Sequence, residues 1–314
     1  MSKGIKTLWI VIGSLFALGI ILAAVGFALG GTGSAWADRN GIHFGNPTEN
    51  RVELAEKESE PFENLDVLLV SADVEFVTGS SYGYEFVYTG SQEPSVEIKD
   101  GTLRVVEDEN NWRINIFGLW NIFDNQAKLT VYVPSDAALN SVAISTASGD
   151  TVISGEGVNI KSLDCQSASG GITASNLDLE QLKIDVASGD VKLAAITAND
   201  ARINLISGCL TYDKATLDSL IIDMASGDAT VSGTVTSNLV LRMVSGDADF
   251  NLIGNEEDYS FSINRISGDI RVNGRGVNTG DLPGSTNQSS STGGSGRIEI
   301  DTTSGSVNIN FTNQ

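Results

Sequence analysis

In five places of the chain an aspartate directly follows a Ser-Gly pair. These residues are Asp150, Asp190, Asp228, Asp247 and Asp269. Carboxylate oxygens are ligands that Ca²⁺ prefers, so Asp190, Asp228, Asp247 and Asp269 could form a Ca²⁺ ladder. Asp is also a common residue of solvated turns. Neither the glycine-rich nonapeptide of Ca²⁺-binding β-rolls nor an EF-hand loop is present, which favours the turn interpretation.

Side chains for other catalytic chemistry are scarce. His43 is the only histidine, so a Ser-His-Asp set would need it brought to the repeats, and multi-histidine zinc sites are excluded. Polysaccharide-cleaving solenoids use clustered acids. The residues that could imitate such a cluster are Asp228, Asp247 and Asp269 with Arg242 and Arg271. Because these acids lie at regular repeat positions, we assign no catalytic residue and no cofactor.

An aromatic cluster interrupts the polar sequence between residues 110 and 123, which read NNWRINIFGLWNIF. Its members are Trp112, Phe117, Trp120 and Phe123. Clustered aromatic side chains make good anchors for a partner protein or a membrane. A stacked β fold also needs a hydrophobic segment to close its first layer. The sequence leaves both interpretations open.

These side chains are positioned by a repeat. The glycines of the recurring Ser-Gly pair lie at 149, 170, 189, 208, 227, 246, 268 and 305, with most intervals at or near 19 residues. Low-complexity sequence does not keep such a period, whereas stacked repeat architectures do. Gly permits a positive φ, and Ser and Asp can bond nearby amides, so the pair predicts a tight corner.

Hydrophobic columns accompany the glycines. The residues five before them are Ile144, Cys165, Ile184, Ile203, Ile222, Leu241, Ile263 and Ile300. Alternation of apolar and polar residues with period two predicts strands with one buried face. A β-solenoid of coils about 19 residues long explains why like residues share a column; an antiparallel sandwich is the alternative. We predict an all-β solenoid preceded by one N-terminal transmembrane helix.

An uncharged stretch covers residues 8–30 and is long enough to cross a bilayer as a helix. Lys3 and Lys6 precede it, so the positive-inside rule places residues 1–7 in the cytoplasm and the remainder outside the cell membrane. A signal peptide cleaved after Ala37 is the alternative, but the apolar run is longer than such peptides usually have. We therefore predict a single-pass membrane protein that contacts the lipid bilayer through residues 8–30.

The net charge of the chain is −21, and because residues 1–30 contain two lysines and no acid, the part that follows the anchor carries −23. An acidic surface of this kind repels phosphate backbones, which argues against nucleic-acid binding. We interpret residues 31–60 as an acidic tether and residues 61–314 as the β-repeat ectodomain. A Gly/Ser/Asn-rich insertion at 274–296 interrupts the repeats.

The two cysteines are predicted to be free thiols. Cys165 occupies the buried column, where a small hydrophobic side chain fits. Cys209 replaces a corner aspartate two coils later, about 9.5 Å away along a stack with a spacing of about 4.8 Å. Disulfide-bonded Cα atoms are rarely more than about 7 Å apart.

Several segments carry a resemblance to a known family. They are KLTVYVPSDAALNSVAISTASGDTVI (128–153) and the later VASGDV, MASGDA, MVSGDA and RISGDI. With the N-terminal apolar segment, the chain over about residues 61–313 resembles a family of bacterial surface proteins known as putative adhesins. Departures are Gly171, Cys209 and Ser306, where Asp is usual. The resemblance implies a β-solenoid-like envelope domain and brings no catalytic residues.

The sequence thus favours a non-catalytic cell-surface protein with a binding or structural, adhesin-like role, whose partner is an envelope protein or glycan. An envelope-stress or signalling accessory that meets its partner in the membrane or through the aromatic segment is the alternative. A surface glycan-cleaving enzyme is the third possibility.

Overall fold

The computed structural model describes residues 35–38, 41–44, 51–89, 94–107, 114–117, 127–276 and 295–312. Almost all of them lie in strands, and a 3₁₀ turn covers Glu256–Asp258. None of the helical structure in these ranges is long and apolar enough for a membrane span; the predicted anchor at 8–30 lies outside them. The chain divides into two units, residues 1–52, 88–92 and 108–126, and the remainder.

The strands are numbered in chain order. They are β1 Ala35–Asp38, β2 Gly41–Phe44, β3 Arg51–Glu56, β4 Asn64–Gly79, β5 Gly83–Thr89, β6 Ser95–Lys99, β7 Thr102–Val106, β8 Ile114–Phe117, β9 Ala127–Pro134, β10 Ala138–Ser148, β11 Thr151–Ser154, β12 Asn159–Ser169, β13 Ile172–Ser188, β14 Val191–Ser207, β15 Leu210–Ser226, β16 Ala229–Ser245, β17 Ala248–Ile253, β18 Tyr259–Arg265, β19 Ile270–Val272, β20 Arg275–Gly276, β21 Gly296–Ser304 and β22 Val307–Thr312.

The smaller unit contains a three-stranded sheet in the order β2-β1-β8. Strand β1 pairs antiparallel with both neighbours. The first two strands fall in the range that the sequence suggested as a tether, and β8 falls in the aromatic segment.

The larger unit is a stack of parallel coils. Strands β12 to β16 pair in parallel with successive neighbours, so that Ser188 lies beside Ser207 and Ser207 beside Ser226. These parallel ladders confirm the solenoid-like arrangement of the repeats and exclude an antiparallel sandwich for this part of the chain.

Each regular coil has three arms, because the inward alternation shifts phase twice. In β14 the inward residues are Val191 and Leu193, then Ile196 and Ala198, then Ala201, Ile203 and Leu205. The first shift coincides with a residue of positive φ at Asn176, Ala195 and Lys214 in three successive coils. A shift by one residue lets an extended chain turn a corner while its apolar side chains stay inside.

The predicted columns form the core. Seven of the eight column members are at most 2% exposed, and together they form a continuous row across the layers: Ile144, Cys165, Ile184, Ile203, Ile222, Leu241 and Ile300. Burial of an aliphatic side chain of this size contributes about 1.5–3 kcal/mol. The eighth member, Ile263, is partly exposed because it lies in an end layer.

The N-terminal layers are not stacked in chain order. Ala72 of the corner-like sequence VSADVEF precedes Gly149 by about four repeat periods, which suggests intervening coils. Instead β4 pairs directly with β10 and β11. The chain between them forms one further layer from β7 and β9, which pair with β4 on its other edge. The antiparallel strands β6 and β5 close that layer.

The C-terminal layers are also out of chain order. If the coils stacked in chain order, the corner at Gly268 would lie next to the corner at Gly246. Strands β21 and β22 lie instead against β16 and β17, and β18 and β19 lie outside them. The last coil of the sequence is therefore an interior layer. The insertion between β20 and β21 makes this possible, because it connects the outermost layer to the layer beneath.

Candidate functional site

The corners of successive coils touch through their backbones. Gly227 has a φ of +127°, and a Cβ placed there would lie 1.8 Å from the carbonyl oxygen of Gly208. The corresponding distance at Gly246 is also 1.8 Å, to Gly227. Only glycine fits both this conformation and this contact, which explains why the repeat keeps the residue.

The corner aspartates bind the amide of the next layer. The Asp247 N–H donates to Oδ1 of Asp228 over 3.0 Å, and the Ser306 N–H donates to Oδ1 of Asp247 over 2.8 Å. Three further corner pairs repeat the bond: Asp73 with Asp150, Asp150 with Gly171, and Asp190 with Cys209. A carboxylate at this position thus satisfies a backbone donor that the sharp turn removes from the ladder.

The structure separates most of the suggested Ca²⁺ ligands. Asp228 and Asp247 lie in adjacent layers, but Cys209 stands between Asp190 and Asp228. Ser306 stands between Asp247 and Asp269. The described residues contain no group of three or more His, Cys, Asp or Glu side chains that could hold a metal ion. Ca²⁺ binding by the four aspartates stays the untested alternative to the turn interpretation that the sequence favours.

The acids and arginines that could imitate a glycan-cleaving cluster are also apart. Arg242 pairs with Asp223 over 3.2 Å on an outer face of the coils. Arg271 pairs with Asp269 over 3.4 Å in the end layer, where both side chains are more than half exposed. Neither arginine has an ion pair with Asp228 or Asp247 among the described contacts.

A ladder of ion pairs runs along the arm that precedes the Ser-Gly corner. Lys183 Nζ lies 3.1 Å from Asp164 and 2.8 Å from Asp185, which lies in its own strand. Asn204 donates a hydrogen bond to the same Asp185 from the next coil. Burial acts to raise the pKa of Asp185, but the bonds from Lys183 and Asn204 outweigh it and hold the pKa below its ordinary value.

The ladder continues where Asp223 accepts Arg202 over 3.3 Å and Arg242 over 3.2 Å. The period-two alternation of the sequence predicts that these polar residues face outward but does not indicate that they pair. The signal was present, because residues of opposite charge stand about 19 positions apart, and such residues become neighbours only when coils stack.

The arm that follows the corner has a different outer surface. Four exposed residues lie side by side here in four consecutive layers: Thr173, Lys192, Thr211 and Thr230. We call them the threonine row. Their side chains make no hydrogen bond or ion pair with another described residue, in contrast to the braced ladder. Their polar groups are therefore available to a partner.

The aromatic segment is inserted at a corner of a coil. In layer β7/β9 the chain leaves at Val106 and returns at Ala127, on either side of the position where β4 makes its own corner. The Glu107 carboxylate accepts the amides of Val70 and Ser71 over 2.8 and 3.2 Å. Trp112, Trp120 and Phe123 lie outside the described residues. Phe117 ends β8, and only its backbone is described; the contact role of the four stays a prediction.

Both cysteines are free. Cys165 is buried, and burial raises the pKa of its thiol well above the ordinary value, with a smaller contribution from Asp164. Cys209 is exposed at its corner. A thiol reagent should therefore reach only Cys209 in the folded protein.

A shallow depression of about 420 Å³ lies on the outer face of β4, β5 and β9. Lys128 and Glu75 form an ion pair of 2.6 Å within it. Burial raises the pKa of Tyr132, and the neighbouring Glu85 raises it further. The two acids of the depression are thus paired with the Lys128 ammonium and the Tyr132 phenol.

Comparison with known proteins places the chain in a family. The model of the Toastrack DUF4097 family matches residues 62–310. No curated protein matches the chain.

Several solved structures are similar in fold. A putative adhesin from Bacteroides fragilis is 16% identical, with a TM-score of 0.46 over 85% of this chain and 99% of its own. A putative lipid binding protein from Parabacteroides distasonis is 15% identical, with a TM-score of 0.41 over 84% and 98%. A putative cell adhesion protein from Clostridium sporogenes is 14% identical, with a TM-score of 0.32 over 84% and 100%. Similarity at this level transfers no site.

Proposed function

The chain belongs to the Toastrack DUF4097 family, and we propose that it is a non-catalytic contact protein of the cell envelope. In this proposal residues 8–30 anchor it in the membrane as a single span, with residues 1–7 in the cytoplasm and the solenoid outside. Its partner is an envelope protein or glycan, and its role is binding or structural, as in adhesins.

The observation that carries this proposal is the use of the repeated polar residues. The corner aspartates, the most regular acids of the chain, bind backbone amides of the following layer. The ladder acids bind lysine and arginine. What remains for a ligand is a regular exposed surface such as the threonine row, which suits contact over several layers rather than chemistry at one point.

The proposed topology can be tested with the chain's own thiols. A membrane-impermeant maleimide should label Cys209 on intact cells, because that residue is exposed while Cys165 is buried. The matched control is Cys209→Ser, which should remove the label without altering the corner amide. Labelling that requires cell lysis would contradict the outward orientation.

The proposed contact role can be tested on the threonine row. Purified chain should sediment with isolated envelope material in a saturable manner, and Thr173→Asp, Thr211→Asp and Thr230→Asp together should weaken this by at least about tenfold. The control carries Asp substitutions at Thr197, Thr216 and Thr234, a parallel row on the next arm. Equal loss from both rows would show non-specific charge repulsion.

The signalling accessory remains a second candidate because of one feature. Residues 107–126 stand where other layers make a corner with a few residues. If Trp120→Ala removes a signalling response while envelope binding persists, this candidate is favoured; loss of folding instead indicates a cap.

A further inference from the structure

The three arms of the regular coils have different outer faces. On the arm before the Ser-Gly corner, the lysine and arginines of the ion-pair ladder are already bound to aspartates. The middle arm is the one that contains Ile196 and Ala198 in β14. In the coils from β13 to β16 its outward positions include no lysine or arginine and three acids: Asp178, Glu180 and Asp218. The first arm, which bears the threonine row, has neither feature.

The face of the threonine row carries no net charge in these coils. Each coil contributes two outward residues to it, one in the row and one in a second column. The second column consists of Ser175, Ala194, Asp213 and Ser232. The charges of Lys192 and Asp213 cancel, and the Asp213 carboxylate accepts a hydrogen bond from the Ser232 hydroxyl over 2.7 Å. The face is therefore a sheet of parallel strands covered mainly with small side chains and hydroxyl groups.

The size of this face argues against a protein partner. Four layers about 4.8 Å apart and four residues of about 3.3 Å each give an area of about 250 Å². A standard protein interface covers about 800 Å² on each partner and has aromatic and arginine anchors near its centre. The eight outward residues of the four coils include no aromatic side chain and no arginine.

Acidic residues border the face on both sides. The corner aspartates Asp190 and Asp228 directly precede the first arm in two of the four coils, and the acids of the middle arm follow it. In a chain with a net charge of −21, these residues repel a polymer of phosphates or carboxylates. An uncharged polymer meets no such repulsion.

We infer that the threonine row binds an extended, uncharged polysaccharide of the envelope, which runs across the layers at right angles to the strands. This inference rests on the contact role proposed above and names the partner. The hydroxyls of Thr173, Thr211 and Thr230 can donate and accept hydrogen bonds, as sugar hydroxyls do, and none is bonded to another described residue. Because the layers repeat about every 4.8 Å, a polymer of repeating sugars meets an equivalent group in each of them.

The neighbouring layers set the limits of the binding site. Val152 lies beside Thr173 at one end and is 40% exposed, so its side chain can contact the C–H groups of a sugar ring. Asp249 lies beside Thr230 at the other end and accepts a hydrogen bond from Asn308 over 2.7 Å. The site therefore extends over five layers and ends where the next outward residue is an acid.

The first test identifies the class of the partner. The full chain in detergent is sedimented with isolated envelope material after one of two treatments. Protease digestion with lipid extraction should leave binding unchanged, whereas a mixture of glycoside hydrolases that releases the sugars should remove it. Binding that is lost in the first treatment, or that persists after the second, overturns this inference and leaves the contact role standing. A chain that does not bind untreated material overturns both.

The second test assigns the binding to the threonine hydroxyls. Thr173→Val, Thr211→Val and Thr230→Val together keep the branched shape of threonine, so the melting temperature should stay unchanged. They should weaken binding to protease-treated envelope material by at least about tenfold, because each layer loses hydrogen bonds to the polymer. The matched control is the same change at three threonines of the middle arm, Thr197, Thr216 and Thr234. Equal binding by the two triple variants overturns the inference.

Salt distinguishes an uncharged polysaccharide from an anionic one. Hydrogen bonds to an uncharged chain should be nearly independent of ionic strength, so binding should persist when the sodium chloride concentration is raised. A polyanion held by the Lys192 ammonium would instead dissociate as salt screens the attraction. Loss of binding in high salt therefore overturns the assignment of an uncharged polymer.

Discussion

The middle of the solenoid and its two ends are built from the same repeat but follow different rules. From β12 to β16 each coil rests on the coil before it in the chain, with the same serine and glycine at each corner. At the N-terminal end antiparallel strands close the stack, and at the C-terminal end the last two coils exchange places.

This difference shows what a repeat specifies. Matching columns make any two coils compatible neighbours, because the inward side chains and the corner glycines fit in every layer. The columns do not fix which coil comes next. In the middle the short connections between coils allow only the following one, whereas a long connection at either end allows the chain to pass over a layer.

The largest expected effect is at a middle corner. Gly227→Ala places a methyl group on the carbonyl of Gly208 at a φ that only glycine adopts easily, and should reduce the free energy of unfolding by at least about 3 kcal/mol. Chemical denaturation of the purified chain measures this change.

Two other glycines separate the causes of that effect. Gly101 has a φ of +70° but no atom within 4 Å of its added Cβ, so Gly101→Ala should lose about 1 kcal/mol. Gly276 has neither constraint, and Gly276→Ala should change stability by less than about 0.5 kcal/mol. If Gly227→Ala is no worse than Gly101→Ala, the layers are not in backbone contact at the corner.

A smaller effect distinguishes the same column in the middle and at the end. Ile222 is fully buried between two layers, so Ile222→Ala should lower the free energy of unfolding by about 3 kcal/mol. Ile263 is partly exposed in the end layer, and Ile263→Ala should lower it by about 1 kcal/mol. Equal losses would place residue 263 in an interior layer and reverse the order of the last two coils.

Loss of a corner aspartate should also destabilise the protein more in the middle of the solenoid than in the end layer. Asp228→Ala removes the acceptor of the Asp247 amide and should lower the free energy of unfolding by about 1 kcal/mol. Hydrogen exchange at the Asp247 amide should become faster. Asp269→Ala is the control, because the Asp269 side chain contacts only the exposed Arg271 among described partners, and it should have little effect. An unchanged exchange rate in Asp228→Ala would contradict the amide bond.

The smallest effect is the pH dependence of the ion-pair ladder. Lys183 and Asn204 hold the pKa of Asp185 below its ordinary value, so its contribution is present above that value and is lost as the pH falls through the lowered pKa. Asp185→Asn should lower stability by about 0.5 kcal/mol at neutral pH, since the pair is partly exposed to solvent. The difference from the parent chain should disappear in acid; a difference that persists there indicates lost packing instead.

The sequence predicted the regular part of the fold well, for a physical reason. The Ser-Gly corner requires glycine, because the residue has a positive φ and contacts the backbone of the next layer. The period of the repeat can therefore be recognised in the sequence. The column of Ile184, Ile203 and Ile222 is equally visible, since an interior row accepts only apolar side chains of similar size.

The second corner was not predictable in this way. Asn176, Ala195 and Lys214 share a positive φ of 52–56°, yet they share no chemistry. A positive φ of this size is mildly unfavourable for all three residue types and does not require any one of them. The position therefore shows no common residue type in the repeats. The order of the end layers was hidden for a similar reason, because Gly268 and Gly305 carry the same corner motif and fit either place.

The candidate site was predicted only in part. The sequence placed the corner acids along one edge and already showed Gly171, Cys209 and Ser306 at corners where Asp is usual. It did not show that Asp150, Asp190 and Asp247 accept backbone amides of the next layer. Hydrogen bonds between neighbouring coils depend on which residues lie side by side in the stack. The repeat period indicates this register, but the types of the residues alone do not.

The exchanged position of β21 and β22 has a consequence for biogenesis. A polypeptide that emerges amino end first produces the outermost coil before the coil on which that coil must rest. Assembly therefore cannot end by adding coils in chain order. The coil of β18 and β19 can reach its final position only after β21 and β22 have paired with β16 and β17. Once they are in place, β21 and β22 are held between two layers, so deleting them would remove an interior layer instead of the outermost one.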